Sequence, residues 1–380
     1  MTRRQLARLT AGAAFLQKQT PAATKYTGAL DGFEDKVDMA NFDAVLFTLK
    51  AHDVAPLRLA FRAVDRKQAE AWQKQLRPKI LELLGGFPAK PTPLAAQTLE
   101  VRDYPGYRRE KLVFESRPGA GVLAYLLTPK TGKAPHAAVV CIPGHGRGVE
   151  DIVGVDAQGR DRTVKEGYAY DYAIQVVEHG MAAVAIEPMG FGCRREPGAN
   201  SRPLDSNVCQ PTAGSALLLG QTMIGWRVYE VMRTIDWIAS RPELDSKRVG
   251  CLGCSGGGMA TLFAAALDSR IRASLVSSYL NTFRDCVMSI SHCIDNYIPG
   301  ILNWAEMYDV AGLAAPRPMF FESGEHDTIF PVAASRASFA RVKKMYEVFD
   351  AADNTGHEVF DGPHGFSGKL GLPFLAKHLA

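Results

Sequence analysis

The sequence predicts an α/β fold with a mostly parallel central sheet that carries helices on both faces. Apolar strand-like runs alternate with helical segments from residue 137 to the end of the chain. The runs are continuously apolar rather than alternating, which is typical of parallel strands buried on both faces. A third observation is a glycine-rich turn, Gly253–Gly257, at a junction between a strand and a helix.

Length and composition narrow the range of functions. The chain has 380 residues, of which 47% are hydrophobic and 22% charged, with a formal net charge of +4. Basic and acidic residues are interleaved, so no stripe suited to nucleic acid is present. No run approaches the roughly 20 apolar residues that a membrane helix needs. We therefore expect a small-molecule partner rather than nucleic acid or membrane.

The N-terminus, residues 1–35, is predicted to be a flexible lead-in. Its segments Thr2–Leu6 and Leu9–Leu16 resemble a twin-arginine export signal. A plain basic terminus is an equal alternative, because the apolar stretch is short and ends at Gln17.

The seven cysteines include three in or beside apolar strand-like runs, namely Cys141, Cys251 and Cys254. Such thiols pack as small hydrophobes. The other four lie in irregular segments where pairing stays open: Cys193, Cys209, Cys286 and Cys293. This pattern favours a reducing compartment, and so a cytoplasmic location over a periplasmic or secreted one.

Residues 36–93 are predicted to be a helical extension followed by a linker. Apolar residues recur at helical spacing from Leu57 to Leu83, and Gly85 and Gly86 end the run. The main domain is then expected to span residues 94–380.

That domain is predicted to begin with an antiparallel hairpin at the sheet edge, Lys111–Ser116 and Val122–Thr128. The further predicted strands are Ala137–Ile142, Ala182–Ile186, Val249–Leu252, Ala273–Val276, Met319–Glu322 and Glu358–Phe360. The predicted helices are Tyr168–Glu178, Leu217–Ala239, Gly256–Leu267, Val332–Phe349 and Phe366–His378. Two long insertions, residues 192–211 and 281–315, are expected to form lids or pocket walls.

The turn around Ser255 has the pattern Gly-x-Ser-x-Gly between a strand and a helix. This pattern carries weight in that context, because it places a serine hydroxyl on a tight turn in front of a helix N-terminus. Gly253 and Gly257 leave room for the chain to cross itself there. We therefore predict Ser255 as a nucleophile; the simpler alternative is a serine that caps a helix.

Two later loops supply a candidate acid and a candidate base, in the order in which such partners follow the serine. Asp327 is the predicted acid, with Glu325 as the alternative. His364, in a glycine-flanked loop after the last strand, is the predicted base. His326 is out of order for a base, and His357 is interpreted as structural.

The oxyanion that forms during such chemistry needs backbone N–H donors. Gly256, directly after the serine, is one predicted donor. His145, in the loop Pro143–Gly148 after the strand Ala137–Ile142, is the other.

The chain shows no pattern that requires a cofactor or a metal ion. Cys251 and Cys254 have C-x-x-C spacing, but no second pair accompanies them. Cys254 is expected to pack in the core. The segment around His292, Asp295 and Asn296 has no assigned chemistry, and a small metal site there is the weaker alternative.

With these residues placed, the chain resembles the α/β-hydrolases, in particular the dienelactone-hydrolase-like and acetyl-xylan-esterase-like branch, over roughly residues 105–378. The motifs that carry the resemblance are Pro143–Gly146, Gly253–Gly258, His292–Gly300, Ala315–Pro318 and Glu322–Asp327. The resemblance implies a catalytic triad of Ser255, Asp327 and His364, no cofactor, and activity on short-chain acyl esters, often acetylated sugars. Dienelactone hydrolases proper use a cysteine where this chain has Ser255.

The favoured function is thus hydrolysis of short-chain carboxylic esters through an acyl-enzyme on Ser255, with acetylated carbohydrates as the substrates that the resemblance implies. A serine peptidase or amidase of the same fold is one alternative. A ligand-binding protein without activity is the other.

Overall fold

A nine-stranded sheet forms the centre of the molecule. The computed structural model describes residues 28–162, 167–196, 198 and 208–380, and the sheet order within them is β1-β2-β3-β5-β4-β6-β7-β8-β9. The strands are β1 Gln97–Asp103, β2 Tyr107–Arg117, β3 Ala120–Pro129, β4 His136–Ile142, β5 Ala182–Ile186, β6 Leu244–Cys254, β7 Ile271–Ser277, β8 Met319–Gly324 and β9 Thr355–Phe360.

Strands β4 to β9 run parallel to one another. Every residue of β4 and β5 is buried, as their continuous apolar sequences predict. The predicted mostly parallel sheet is confirmed, and the carboxyl ends of its strands share one edge, where ligands of such sheets bind.

The sheet begins with three antiparallel strands instead of the predicted two. The hairpin β2–β3 is present, but β1 pairs with β2 and takes the edge position. The predicted antiparallel hairpin at the N-terminal end of the sheet is confirmed, and β1 extends it by one strand. Strand β1 is exposed at every residue, so its sequence lacks the apolar alternation that reveals a half-buried strand.

Helices cover both faces of the sheet. They are α1 Ala44–Asp53, α2 Arg66–Leu83, α3 Tyr172–Glu178, α4 Gln210–Leu218, α5 Met223–Ile238, α6 Gly256–Leu267, α7 Met307–Gly312, α8 Val332–Val348 and α9 Gly371–Leu379. Buried residues of α2, α5, α6, α7 and α8 share one apolar core, whereas those of α3 and α9 pack on the opposite face.

The N-terminal extension contains less helix than predicted around Leu57. Helix α2 begins only at Arg66, because Asp65 has extended backbone and its carboxylate accepts a hydrogen bond from the Gln68 N–H at 2.8 Å. Leu57 itself has a positive φ of 36°, which no helix accommodates. Val64, one of the apolar residues at helical spacing between Leu57 and Leu83, is 79% exposed.

The predicted helix Leu217–Ala239 is two helices. Helix α4 ends at Leu218, Gly220 adopts a φ of 68°, and Thr222 then caps α5 by accepting a hydrogen bond from the Gly225 N–H at 3.0 Å.

Two further helices begin later than predicted. Helix α3 starts at Tyr172 rather than Tyr168, because Tyr170 and Asp171 have positive φ angles. The closing helix starts at Gly371 rather than Phe366.

Residues 1–27, which include the predicted export-signal segment, lie outside the described residues. Residues 197 and 199–207 of the first insertion also lie outside them. The second insertion, 281–315, folds into α7 and three short helical turns, Phe283–Val287, Ile294–Asn296 and Ile301–Asn303. Across the described part of the chain, none of the helices has both the length and the apolar character needed to cross a bilayer.

Candidate active site

Ser255 lies between β6 and α6, at the carboxyl edge of the sheet. Its φ of 57° and ψ of −121° form a strained conformation for a residue with a side chain. The turn is possible because a Cβ atom at Gly253 would collide with the Gly257 carbonyl, and one at Gly257 with the Ile142 carbonyl. The glycines therefore allow the close crossing that the sequence pattern predicts.

Two backbone N–H groups beside Ser255 have no acceptor among the residues that the structure describes. One belongs to Gly256, the first residue of α6, and the other to His145, in the loop after β4. Gly144 brings this loop against the serine, because a Cβ built there would lie 2.8 Å from the Ser255 Cβ. Such N–H groups are available to a ligand oxygen.

Asp327 and His364 meet on the loops that follow β8 and β9. The His364 Nδ1 lies 2.7 Å from the Asp327 Oδ2. The other carboxylate oxygen of Asp327 accepts hydrogen bonds from the N–H groups of Ile329 and Phe330, at 2.8 and 2.9 Å. These bonds fix the carboxylate, which in turn orients the imidazole.

The end of β7 joins the serine turn to the histidine loop. The Ser255 N–H donates to the Ser277 carbonyl at 3.0 Å. The hydroxyl groups of Ser277 and Ser278 donate to the Gly365 carbonyl at 3.1 and 2.7 Å. Hydrogen bonds to the same buried strand end thus hold both Ser255 and Gly365, the residue after His364.

The structure places the other acidic and basic candidates elsewhere. Glu325 pairs with Arg336 on the surface at 2.6 Å, and His326 lies against Asp361 at 3.0 Å. His357 is inside β9 rather than before it, and its Nε2 lies 2.9 Å from the Ser323 Oγ. Burial lowers the pKa of His357 to about 4.

Tyr168 is part of this site and was missed in the sequence because it was assigned to the start of a helix. Its hydroxyl donates to the His145 carbonyl at 2.7 Å, and its ring lies 5.8 Å from that of His364. Phe330 stacks on the imidazole of His364 at 5.7 Å, with the rings 17° from parallel. Burial raises the pKa of Tyr168, so the hydroxyl keeps its proton and remains a donor.

Glu187, directly after β5, holds the loops near the site together. Its carboxyl group accepts a hydrogen bond from the Val149 N–H at 3.1 Å. Gly148 and Gly192 contact it so closely that a Cβ at either position would collide with it. Burial raises the pKa of Glu187 to about 8, so it is protonated at neutral pH.

A second group of polar side chains lies on the far side of His145. The His145 Nε2 is within 4 Å of Cys209, Cys293 and Asp295. The Arg227 Nη1 lies 2.6 Å from the Asp295 Oδ2. His292, which the alternative metal site in the sequence analysis used, is outside this group; its ring instead packs 5.5 Å from Phe330. Because the members come from distant segments, no local spacing in the sequence reveals the group.

Cys254 packs fully buried beside the serine, as predicted. Cys141, Cys251 and Cys286 are also buried, and Cys193 is exposed.

Comparisons with known proteins agree with this architecture. The "Putative hydrolase YtaP" of Bacillus subtilis is 25% identical over 284 residues, which are 73% of this chain and 89% of that protein. The crystal structure of a "putative acetyl xylan esterase" from Bacteroides fragilis aligns with a TM-score of 0.76 at 20% identity, covering 88% of this chain and 94% of that one. A glucuronoyl esterase from Solibacter usitatus aligns with a TM-score of 0.60 at 16% identity, covering 86% and 97%.

The fold and a family model agree on the protein family of this chain. Residues 43–358 match the model of the Abhydrolase family, and the mostly parallel sheet and the serine turn between β6 and α6 are those that the sequence predicts. The chain therefore belongs to the Abhydrolase family.

Proposed function

We propose that the chain is a serine hydrolase of carboxylic esters with a short, acetyl-type acyl group. The observation that carries the proposal is the Asp327–His364 pair, 2.7 Å apart, on loops adjoining the strained turn of Ser255. In such a triad the imidazole takes the proton of the serine hydroxyl, and the carboxylate orients the imidazole and stabilises its positive charge. Solvent reaches the site, because Ser255 and His364 are only partly buried.

The proposed reaction begins when His364 takes the proton of Ser255 and the serine oxygen attacks the ester carbonyl. The protonated imidazole then gives that proton to the leaving alcohol, and an acyl group remains on Ser255. A water molecule, deprotonated by His364, releases the acid and restores the serine. Asp327 holds the Nδ1 proton and stabilises the positive imidazole throughout.

The negative oxygen of each tetrahedral intermediate is assigned to the N–H groups of His145 and Gly256. Neither has an acceptor among the described residues, so both can donate to the substrate. A donor of this kind contributes about 3–4 kcal/mol to the transition state. The hydrogen bond from Tyr168 to the His145 carbonyl supports the loop that presents one of them.

Acetylated carbohydrates are the substrate class that we propose first. The structural neighbours named above include a protein described as a "putative acetyl xylan esterase" and a glucuronoyl esterase. A panel of nitrophenyl esters of increasing acyl length, acetylated xylo-oligosaccharides and methyl glucuronate would rank these possibilities. Preference for long acyl chains would contradict the short-chain assignment.

The test of the function is hydrolysis of p-nitrophenyl acetate by the wild type, by Ser255→Ala and by Ser240→Ala as a surface control. We expect Ser255→Ala to lose about 10⁴- to 10⁶-fold in kcat and the control to match the wild type. Equal rates in all three proteins would contradict the proposal. Faster cleavage of matched amides than of esters would favour an amidase, and no turnover of either would favour a binding protein.

A further inference from the structure

We propose that His145, Cys209, Cys293 and Asp295 form a structural site for a tetrahedral divalent metal ion of the zinc type. Each side chain offers one potential ligand atom, and these four atoms all lie within 4.8 Å of one another. Imidazole nitrogen, thiolate sulfur and carboxylate oxygen are the ligands that zinc takes in proteins. The site goes beyond the proposed esterase function, because none of its side-chain atoms takes part in that reaction.

The distances within the cluster suit a tetrahedron. The His145 Nε2 lies 3.2 Å from the Cys293 Sγ, 3.7 Å from the Cys209 Sγ and 3.2 Å from the Asp295 Oδ2. In a tetrahedral zinc site, with bonds of about 2.0 Å to nitrogen and about 2.3 Å to sulfur, ligand atoms are about 3.3–3.8 Å apart. Only small side-chain shifts separate the present positions from such a site.

Burial and charge also favour a cation. Cys209 and Asp295 are 1% exposed, and Cys293 is 6% exposed. The Arg227 Nη1 donates to the Asp295 Oδ2 at 2.6 Å. Two thiolates and a carboxylate would carry three negative charges, which a divalent cation and Arg227 neutralise. The buried group would therefore have no net charge, which is the arrangement that a low-dielectric interior favours.

The ligands are oriented by neighbours that a metal site needs around it. The Asn296 Nδ2 donates to the Asp295 Oδ1 at 2.7 Å, so both carboxylate oxygens are positioned. The other ring nitrogen of His145, Nδ1, faces the serine turn, since a Cβ at Gly256 would lie 3.3 Å from it. Only Nε2 then points into the cluster. Such outer contacts set the direction of metal ligands.

The site would tie three separate parts of the chain together. His145 belongs to the loop after β4, Cys209 precedes α4 in the first insertion, and Cys293 and Asp295 belong to the second. Four protein ligands leave no open position, which is typical of a structural rather than a catalytic zinc. The bound ion would hold the loop whose His145 N–H is the proposed oxyanion donor.

The first measurement uses the full-length wild type, purified without a histidine tag under reducing conditions. After incubation with zinc and gel filtration, we expect about one metal ion per chain by elemental analysis. Replacement by Co²⁺ should produce the thiolate charge-transfer absorption that cysteine ligands cause. Absence of both results would overturn the proposal, and so would a Cys209–Cys293 disulfide that persists under these conditions.

Variants then locate the ion. Cys209→Ser, Cys293→Ser and Asp295→Asn should each lose the metal or bind it much more weakly. Cys193→Ser, an exposed cysteine of the same insertion, should retain it. If the Cys209→Ser, Cys293→Ser double variant retained the metal, the ion would be bound elsewhere and the assignment would be contradicted. The cobalt spectrum is measured on the wild type, so the test of cysteine ligation does not depend on whether a variant folds.

Ser255→Ala separates this inference from the proposed function. The variant should bind metal as the wild type does, because Ser255 supplies no ligand. An inactive wild type that still binds one ion would refute the esterase assignment alone. An active wild type without metal would refute the metal site alone.

Discussion

At the scale of single residues, the site depends on side chains whose geometry is set by several hydrogen bonds at once. Asp327 illustrates this, because one of its oxygens contacts His364 and the other accepts two backbone N–H groups. The flanking Tyr168 and Phe330 rings limit how the imidazole can turn. These constraints explain why Asp327, rather than the surface-paired Glu325, is the acid that we assign.

Asp327→Asn should therefore lower kcat for p-nitrophenyl acetate by about 10⁴-fold, because the amide no longer holds the correct imidazole tautomer. The melting temperature should change little, since the side chain keeps its shape. Glu325→Gln is the matched control and should retain wild-type turnover. A comparable loss in Glu325→Gln, or an active Asp327→Asn, would show that the acid is misassigned.

At the scale of elements, short polar caps decide where helices begin. The Thr222 hydroxyl accepts a hydrogen bond from the Gly225 N–H at 3.0 Å and donates to the Leu84 carbonyl at 3.2 Å. It thereby starts α5 and connects that helix to the end of α2. The side chain is buried, so no water can replace these bonds.

Thr222→Ala should lower the free energy of unfolding by about 1–2 kcal/mol, because it removes a helix cap and leaves a buried carbonyl without its donor. Thr222→Ser keeps the hydroxyl and should lose much less. Urea denaturation of the three proteins measures the difference. Equal losses in both variants would mean that the methyl group, and not the cap, is what stabilises this junction.

The elements also show what sequence patterns can and cannot predict. Helix α6 was predicted with its observed bounds, Gly256–Leu267, and the central strands were found because they are continuously apolar. Strand β1 was missed because it is exposed throughout, and the break at Gly220 was missed because apolar residues continue on both sides of it. Local sequence patterns therefore reveal buried strands and helices. Exposed strands depend on pairing with a neighbouring strand, and the points where a helix is interrupted depend on capping residues.

The same limit applies to the site. Ser255, Asp327 and His364 could be proposed because each follows a predictable strand in a fixed order. The roles of Tyr168 and of the cluster around Cys209 and Cys293 could not be proposed from the sequence, because their contacts join segments far apart in the chain. Only the three-dimensional structure brings them together.

At the scale of the whole molecule, buried carboxyl groups make stability depend on pH. Burial raises the pKa of Glu187 to about 8, from about 4.5 in an exposed chain. Between these values the folded protein binds a proton that the unfolded chain does not. The stabilising contribution of Glu187 is therefore complete below about pH 4.5 and is lost as the pH rises through about 8.

Glu187→Gln should remove this part of the pH dependence, because the amide does not titrate and can still accept the hydrogen bond from Val149. The free energy of unfolding, measured in urea at pH 5 and pH 8, should fall with pH more in the wild type than in the variant, by up to about 1.4 kcal/mol per pH unit. Glu70→Gln, at an exposed position, should keep the wild-type slope. Identical slopes in the wild type and Glu187→Gln would show that Glu187 is already ionised in the folded protein.

Peptide mapping after reaction with a fluorophosphonate, which labels activated serines, tests whether Ser255 is the nucleophile. We expect one adduct per chain, on Ser255, with labelling strongly slowed in His364→Ala. An active protein that is labelled at another residue, or labelling that is indifferent to His364, would contradict the claim that Ser255 is the activated nucleophile.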